Sequence, residues 1–210
     1  MGMHRSGTSL VMGLLSKCGV YIGNNLLMGA RDNPKGHFED RGFLRTNDQL
    51  LRRNGGSWKT PPDGVSYQGM KPQMEKFLEA WPKDKIVGWK DPRICLTFPL
   101  WKRLIEPEPI KVILTYRPIE QIAASLQARN GFTMEKGRKL AKYYYDQATR
   151  NTRRIPGVSC MITHFESYFS NWQLELEGVL EFLKLEMGDH QELADFIDRE
   201  LWHNRGAEHG

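Results

Sequence analysis

Apolar residues along this chain recur at two different spacings, and the alternation between them sets the expected architecture. Leu10, Val11, Leu14 and Leu15 fall at helical spacing. They predict a first helix from about Thr8 to Cys18, with Gly19 placed to end it. Residues 20–38 are rich in Gly, Asn and Pro and read as a long loop, a length that often carries function. A helix follows from about Asp40 to Arg53, closed by Gly55 and Gly56. Residues 57–69 read as loop and 71–81 as helix. The short apolar run KIVGW, residues 85–89, suits a buried strand broken by Asp91 and Pro92, and 97–105 suits a helix.

The clearest strand is IKVILTY, 110–116. It is β-branched and almost continuously apolar, as a parallel strand buried on both faces should be. Pro118 opens a helix running to about Arg129, and a second long helix spans 133–154. VSCMITHF, 158–165, reads as a third strand. Ser170 and Gln173 read as a capping box for a helix over 172–186, and a last helix covers 189–202. Strands alternate with helices, which predicts an α/β fold with a parallel sheet covered on both faces. Nothing resembles a linker or an internal repeat, so one domain over 1–210 is expected.

Composition narrows the function. A chain of 210 residues can bury a sizeable core. No run of about 18 apolar residues is present, so no membrane span is expected. Arg5 and the polar stretch Ser6 to Ser9 interrupt any signal-peptide core, so a cytoplasmic location is expected. The net charge of +5 fits an anionic ligand. No basic run alternates with aromatics, so nucleic acid is not expected. Cys18, Cys95 and Cys160 lie apart among apolar neighbours and read as buried, reduced thiols. His190, His203 and His209 lack ligand spacing, so no metal is expected. Tyr143 to Tyr145 with Arg150, Arg153 and Arg154 read as one buried and one solvated helix face.

The chemistry concentrates at the beginning of the chain. In GMHRSGTS, Gly2 and Gly7 stand five apart, and Thr8 and Ser9 open an apolar helix. Glycines let backbone N–H groups approach an anion closely, and a helix N-terminus adds unpaired donors and the positive end of a dipole. Thr8 and Ser9 supply hydroxyls, and Arg5 supplies a permanent charge. A nucleotide phosphotransferase loop would carry lysine where Thr8 stands.

With Arg5, Ser6, Gly7, Thr8 and Ser9 in this order, the stretch resembles the 5′-phosphosulfate loop of sulfotransferases. These enzymes use 3′-phosphoadenosine 5′-phosphosulfate as donor, on a three-layer α/β/α fold with a central parallel sheet of the P-loop NTPase type. The resemblance calls for a 3′-phosphate site, an arginine at a strand end and a serine eight residues on. Arg117 ends IKVILTY and Ser125 follows at that distance. Three further stretches resemble bacterial members: Asn33 to Asp40, Gly88 to Arg93, and His164 to Tyr168. The similarity covers about residues 2–187.

The resemblance implies sulfuryl transfer to a hydroxyl or amine of a small-molecule, carbohydrate or lipid acceptor. Gly2, His4, Arg5, Ser6, Gly7, Thr8, Ser9, Arg117 and Ser125 would bind the donor, with His4 within reach of the sulfuryl group. Arg5 and Lys90 would stabilise the leaving group, and Glu39 would be the base, with His37 and Asp40 as rivals. Members of the family have a strand ahead of the loop, where this sequence has only Met1. A fragment or a late start is therefore expected, and a longer chain with an apolar strand upstream should be markedly more stable. A small-molecule kinase and a non-catalytic nucleotide-binding module are the competing readings.

Overall fold

The computed structural model describes residues 1–29, 35–105 and 107–197. Over these residues the protein is mixed α/β and mostly helical. In chain order it forms α1 (Thr8–Lys17), α2 (Arg41–Arg53), α3 (Lys71–Glu79), α4 (Ile94–Ile105), β1 (Ile110–Tyr116), α5 (Ile119–Asn130), α6 (Met134–Arg154), β2 (Val158–His164), α7 (Ser167–Ser170), α8 (Trp172–Leu183) and α9 (His190–Phe196).

Local chemistry sets most of these bounds. Asp40 caps α2 by accepting from the amides of Gly42 and Phe43 at 2.8 and 3.0 Å. Thr133 caps α6 by accepting from Lys136 N at 3.2 Å, and Gly131 ends α5 in the left-handed region at φ 66°. Two predicted ends move. Ser170 closes the short α7, and Asn171 caps α8 by accepting from Leu174 N, so the expected box on Ser170 does not form. Lys184 then ends α8 in a left-handed turn. The last helix ends at Phe196, with Ile197 extended as its C-cap, short of the predicted 202. Residues 198–202 of the predicted span lie outside the described residues, as do His203 and His209.

The sheet pairs β1 with β2 in parallel, from Ile110 opposite Val158 to Tyr116 opposite His164. Strand β1 earns its continuous apolarity from burial on both faces. Val112 and Leu114 join the cores built with α4, α5 and α6, and Ile113 joins the core of α1 and α8. Strand β2 is less covered, and Ile162 is 51% exposed. That explains one correction. Cys18 and Cys95 are buried as expected, but Cys160 on this strand is exposed.

The predicted strand at 85–89 does not form a ladder. It makes a single parallel bridge, with Tyr21 N donating to Ile86 O at 2.8 Å and Gly88 N to Tyr21 O at 2.9 Å. The predicted sheet is therefore reduced to two strands plus this bridge. The reason lies on the other side of the segment, where a groove separates it from β1. Met1 enters the β1 end of that groove. Its carbonyl accepts from Thr115 N at 2.8 Å, and its amino group donates to Ile113 O.

Candidate functional site

The loop Gly2 to Gly7 runs off Met1 beside the carboxyl end of β1 and turns into α1. Gly2 must stay bare, because a Cβ there would lie 2.5 Å from Ser6 Oγ and 3.0 Å from Thr115 O. Gly7 is tighter. It sits at φ 94°, and a Cβ would come within 2.1 Å of the Phe165 ring. With Gly7 as its N-cap, α1 has no side chain capping its first turn. The Thr8 and Ser9 end of the helix is therefore an open set of donors at the positive end of a dipole. Arg5 holds a left-handed backbone at φ 73°, unusual for a residue with a Cβ.

A cavity of about 110 Å³ opens at this point. It is lined by the loop residues His4, Arg5, Gly7, Thr8 and Ser9, by Lys35, His37 and Glu39, and by Lys90, Arg117 and Arg129, with Phe38, Phe165, Phe169 and Phe196 among its walls. Among the described residues, the cations Arg5, Lys35, Lys90, Arg117 and Arg129 line this space with one carboxylate, Glu39. Such a surplus in a partly enclosed site attracts anions. The volume suits a group of phosphate or sulfate size.

Lys90 is the best-defined side chain of the site. Its ammonium donates to Glu39 Oε1 at 2.6 Å, to His37 O at 2.9 Å and to Ser9 Oγ at 3.0 Å. Ser9 in turn donates to His37 O at 3.2 Å. The side chains of Lys90 and Glu39 are each only 6% exposed. Three separate segments thus meet on one ammonium. The turn after Lys90 is tied by buried hydrogen bonds. Buried Asp91 accepts from the backbone N and Nη1 of Arg93 at 3.0 and 2.9 Å and from Asn47 Nδ2 at 2.9 Å. Burial pushes the Asp91 carboxyl up, and Arg93 opposes that shift.

The three candidate bases separate clearly. Glu39 points inward at Lys90, directed by the left-handed turn at Phe38, φ 52°. Asp40 is occupied as the α2 cap. His37 presents its carbonyl to Lys90 and also lines the cavity.

Arg117 lies at the carboxyl end of β1, 4% exposed. Its Nε donates to Gln121 Oε1 at 3.0 Å, and Nη1 donates to Arg5 O at 3.1 Å. Gln121 is held by Glu166. The guanidinium stacks 4.7 Å from the centre of the Phe165 ring. Burial, and then the charge of Arg5, lower its pKa to about 10, so it stays cationic at neutral pH. Ser125 is buried beside it but does not line the cavity, because its hydroxyl accepts from Arg5 Nε at 2.7 Å. Arg117 and Ser125 are thus joined through Arg5. An anion reaching the serine would have to displace Arg5.

His4 packs on Trp58 with ring centres 4.3 Å apart. Burial first, then Arg93, Arg129, Lys90 and Arg5, hold its pKa well below the usual histidine value, so the ring is neutral. Its Nε2 and the Oγ of Ser6 are sealed from solvent and have no hydrogen-bond partner among the described residues. Orphaned buried polar atoms of this kind mark sites where a ligand or water completes the bonding.

Some site residues were not anticipated. Arg129 is one turn beyond Ser125 on α5, a spacing that could have revealed it. Phe165 follows β2 as Arg117 follows β1, so its place was readable from the rule that ligands gather at carboxyl strand ends. The tyrosine run divides as the helix period requires. Tyr144 is core, and Tyr145 bonds through its hydroxyl to the backbone of Arg117 and Thr115. Arg150, Arg153 and Arg154 are exposed. Among the described residues no cluster of His, Cys, Asp and Glu is disposed to hold a metal, and no helix is long and apolar enough to cross a membrane. No protein-family model, no curated protein and no solved structure matches this chain.

Proposed function

We propose that this protein transfers a sulfuryl group from 3′-phosphoadenosine 5′-phosphosulfate to a hydroxyl or amine of an acceptor. The proposed fold is a three-layer α/β/α domain of the P-loop NTPase type, with the described sheet as its central part. The observation that carries the reading is the convergence of Arg5, Lys90, Arg117 and Glu39 on one small cavity at an uncapped helix N-terminus. His4, which lines the same cavity and has an unpartnered buried Nε2 among the described residues, supports it.

In this reading the donor supplies an activated sulfur–oxygen bond, and the chain supplies position and charge. The amides at the start of α1 and the Ser9 hydroxyl hold the phosphosulfate end. Arg5 and Lys90 place positive charge where the departing phosphate oxygen gains negative charge, in a site that excludes most water. Glu39 receives the acceptor proton as the new sulfur–oxygen or sulfur–nitrogen bond forms, and Lys90 holds the carboxylate in place through its 2.6 Å contact with Oε1. Neutral His4 donates or accepts one hydrogen bond without adding charge. Arg117 takes the 3′-phosphate. Ser125 joins it only when Arg5 turns from the serine toward the leaving group, so donor binding is coupled to the movement of Arg5. The acceptor is a small molecule, carbohydrate or lipid head group.

Titration calorimetry with adenosine 3′,5′-bisphosphate, repeated with ATP and Mg²⁺, tests this. Bisphosphate binding should be preferred. Arg117→Ala should weaken it by roughly tenfold to a hundredfold, the value of a charge-assisted contact. Glu39→Gln should keep bisphosphate binding and lower sulfuryl transfer by roughly a hundredfold or more. Preferential Mg²⁺-ATP binding would mean a kinase. Bisphosphate binding without transfer to any acceptor would mean a binding module. Absence of both ligands would sink the proposal.

A further inference from the structure

Arg117 is tied to two residues that stand off the cavity. Its Nε donates to Gln121 Oε1 at 3.0 Å, and Gln121 Nε2 donates to Glu166 Oε1. Arg117 lines the cavity, whereas Gln121 and Glu166 do not. The direction of both bonds follows from valence. A guanidinium only donates and a carboxylate only accepts, so the amide between them has one orientation, its oxygen on Arg117 and its nitrogen on Glu166. Reversed, it would set donor against donor on one side and acceptor against acceptor on the other.

The local chain places each member. Arg117 follows β1, and Gln121 reaches back to it from the first turn of α5. Glu166 follows β2, just ahead of α7, and its side chain makes no capping bond to that helix. Its neighbour Phe165 stacks its ring 4.7 Å from the Arg117 guanidinium. The turn after β2 therefore holds Arg117 twice, directly by a ring and through the amide by a carboxylate. The Tyr145 hydroxyl fixes the backbone, accepting from Arg117 N at 2.9 Å.

An arginine is commonly held by a carboxylate in direct contact. Such a pair would occupy the guanidinium fork and cancel the charge that an incoming anion needs. An intervening amide separates the two effects. It fixes the plane of the guanidinium and keeps the negative charge one residue away. The restraint is needed because a second cation is adjacent: Arg5 O accepts from Arg117 Nη1 at 3.1 Å. Burial lowers the Arg117 pKa most, the Arg5 charge lowers it further, and Glu166 acts in the opposite sense. With Nε on the amide, an anion in the cavity meets the Nη end.

We propose that Gln121 and Glu166 are positioning residues that set a preference for ligands with a 3′-phosphate: Glu166 orients the Gln121 amide, and the amide aims Arg117 without neutralising it. The inference rests on the proposed donor site, in which Arg117 takes that phosphate.

Two measurements test it. In the free protein, the NMR signal of the Arg117 Nε–H reports the relay with no ligand present. Its exchange with water should be slow in the wild type and in Glu166→Gln, whose amide oxygen still accepts from Gln121. It should be roughly tenfold or more faster in Glu166→Leu and Gln121→Leu. Calorimetry with adenosine 3′,5′-bisphosphate and with adenosine 5′-monophosphate then reads the preference itself. Each leucine variant should lower bisphosphate affinity by roughly tenfold and leave monophosphate affinity unchanged. The double variant should be no weaker than either single one, because both break the same chain of bonds. Glu166→Gln should restore the preference, since it keeps the bond and removes only the charge. Exchange that is alike in all variants, additive losses in the double variant, or equal loss of both affinities would overturn the relay. Bisphosphate binding by the wild type would in those cases leave the donor site standing. A wild type with no preference for the bisphosphate over the monophosphate would overturn the donor reading, and the role given to Gln121 and Glu166 with it.

Discussion

The Lys90 ammonium holds together three segments that are far apart in sequence, so its removal has a calculable cost. Lys90→Met keeps an unbranched side chain of similar reach and deletes the charge. Three acceptors lose their donor: Glu39 Oε1 at 2.6 Å, His37 O at 2.9 Å and Ser9 Oγ at 3.0 Å. The decisive loss is at Glu39, a carboxylate only 6% exposed that is left without its cation. Breaking one half of a buried ion pair costs about 3–5 kcal/mol, more than the Coulomb attraction between exposed charges would suggest, because the stranded charge has also lost its water. With a urea slope of about 2 kcal/mol per molar, the midpoint should fall by roughly 2 M. Tryptophan fluorescence can follow this, since Trp89 adjoins the substituted residue. Adding Glu39→Gln removes the stranded charge and should return the protein to within about 1 kcal/mol of its starting stability, as replacement of a whole buried pair often does. If Lys90→Met costs less than about 1 kcal/mol, or the double variant is no better than the single, the pair is not buried as described.

Other consequences follow from the same geometry. Gly7→Ala places a methyl group 2.1 Å from Phe165 at φ 94°. The left-handed backbone and the overpacking together should cost about 2–4 kcal/mol in thermal unfolding and abolish bisphosphate binding. Asp40→Ala removes the α2 cap and should cost about 1 kcal/mol in urea unfolding, with bisphosphate affinity unchanged in calorimetry and sulfuryl transfer retained, the retained transfer setting it apart from Glu39. His4 has a folded pKa below its unfolded value of 6.5. The unfolded chain therefore takes up the proton first, and stability is lost as pH falls below about 6.5 and on toward the lowered value. His4→Gln should flatten that part of a pH–Tm profile; an unchanged slope would mean the histidine is not sequestered.

The pattern of side chains made much of this fold readable. Helical spacing at Leu10 to Leu15 predicted α1, and the apolar run at 110–116 predicted β1, because both depend on which face of a short segment must be buried. The run at 85–89 has the same apolar character, yet a strand exists only if neighbours complete its hydrogen bonds. Here one edge meets Tyr21 and the other faces a groove. The cap at Asn171 in place of Ser170 is a smaller case of two polar residues competing for one helix end.

The site divides along the same line. The sequence by itself determined the chemical inventory: a loop with bare positions at Gly2 and Gly7, hydroxyls opening a helix, and cations at Arg5, Lys90 and Arg117. These follow from residue type and local spacing. Only the tertiary structure decided which groups meet. It put Glu39 on Lys90, used Asp40 as a cap, gave the Ser125 hydroxyl to Arg5, and brought Arg129 and Phe165 to the cavity. The Glu39–Lys90 and Arg5–Ser125 contacts join residues 51 and 120 positions apart. Spacing in the chain carries no information on contacts at that range, because they are set by how helices and strands pack and by which buried polar groups must find partners.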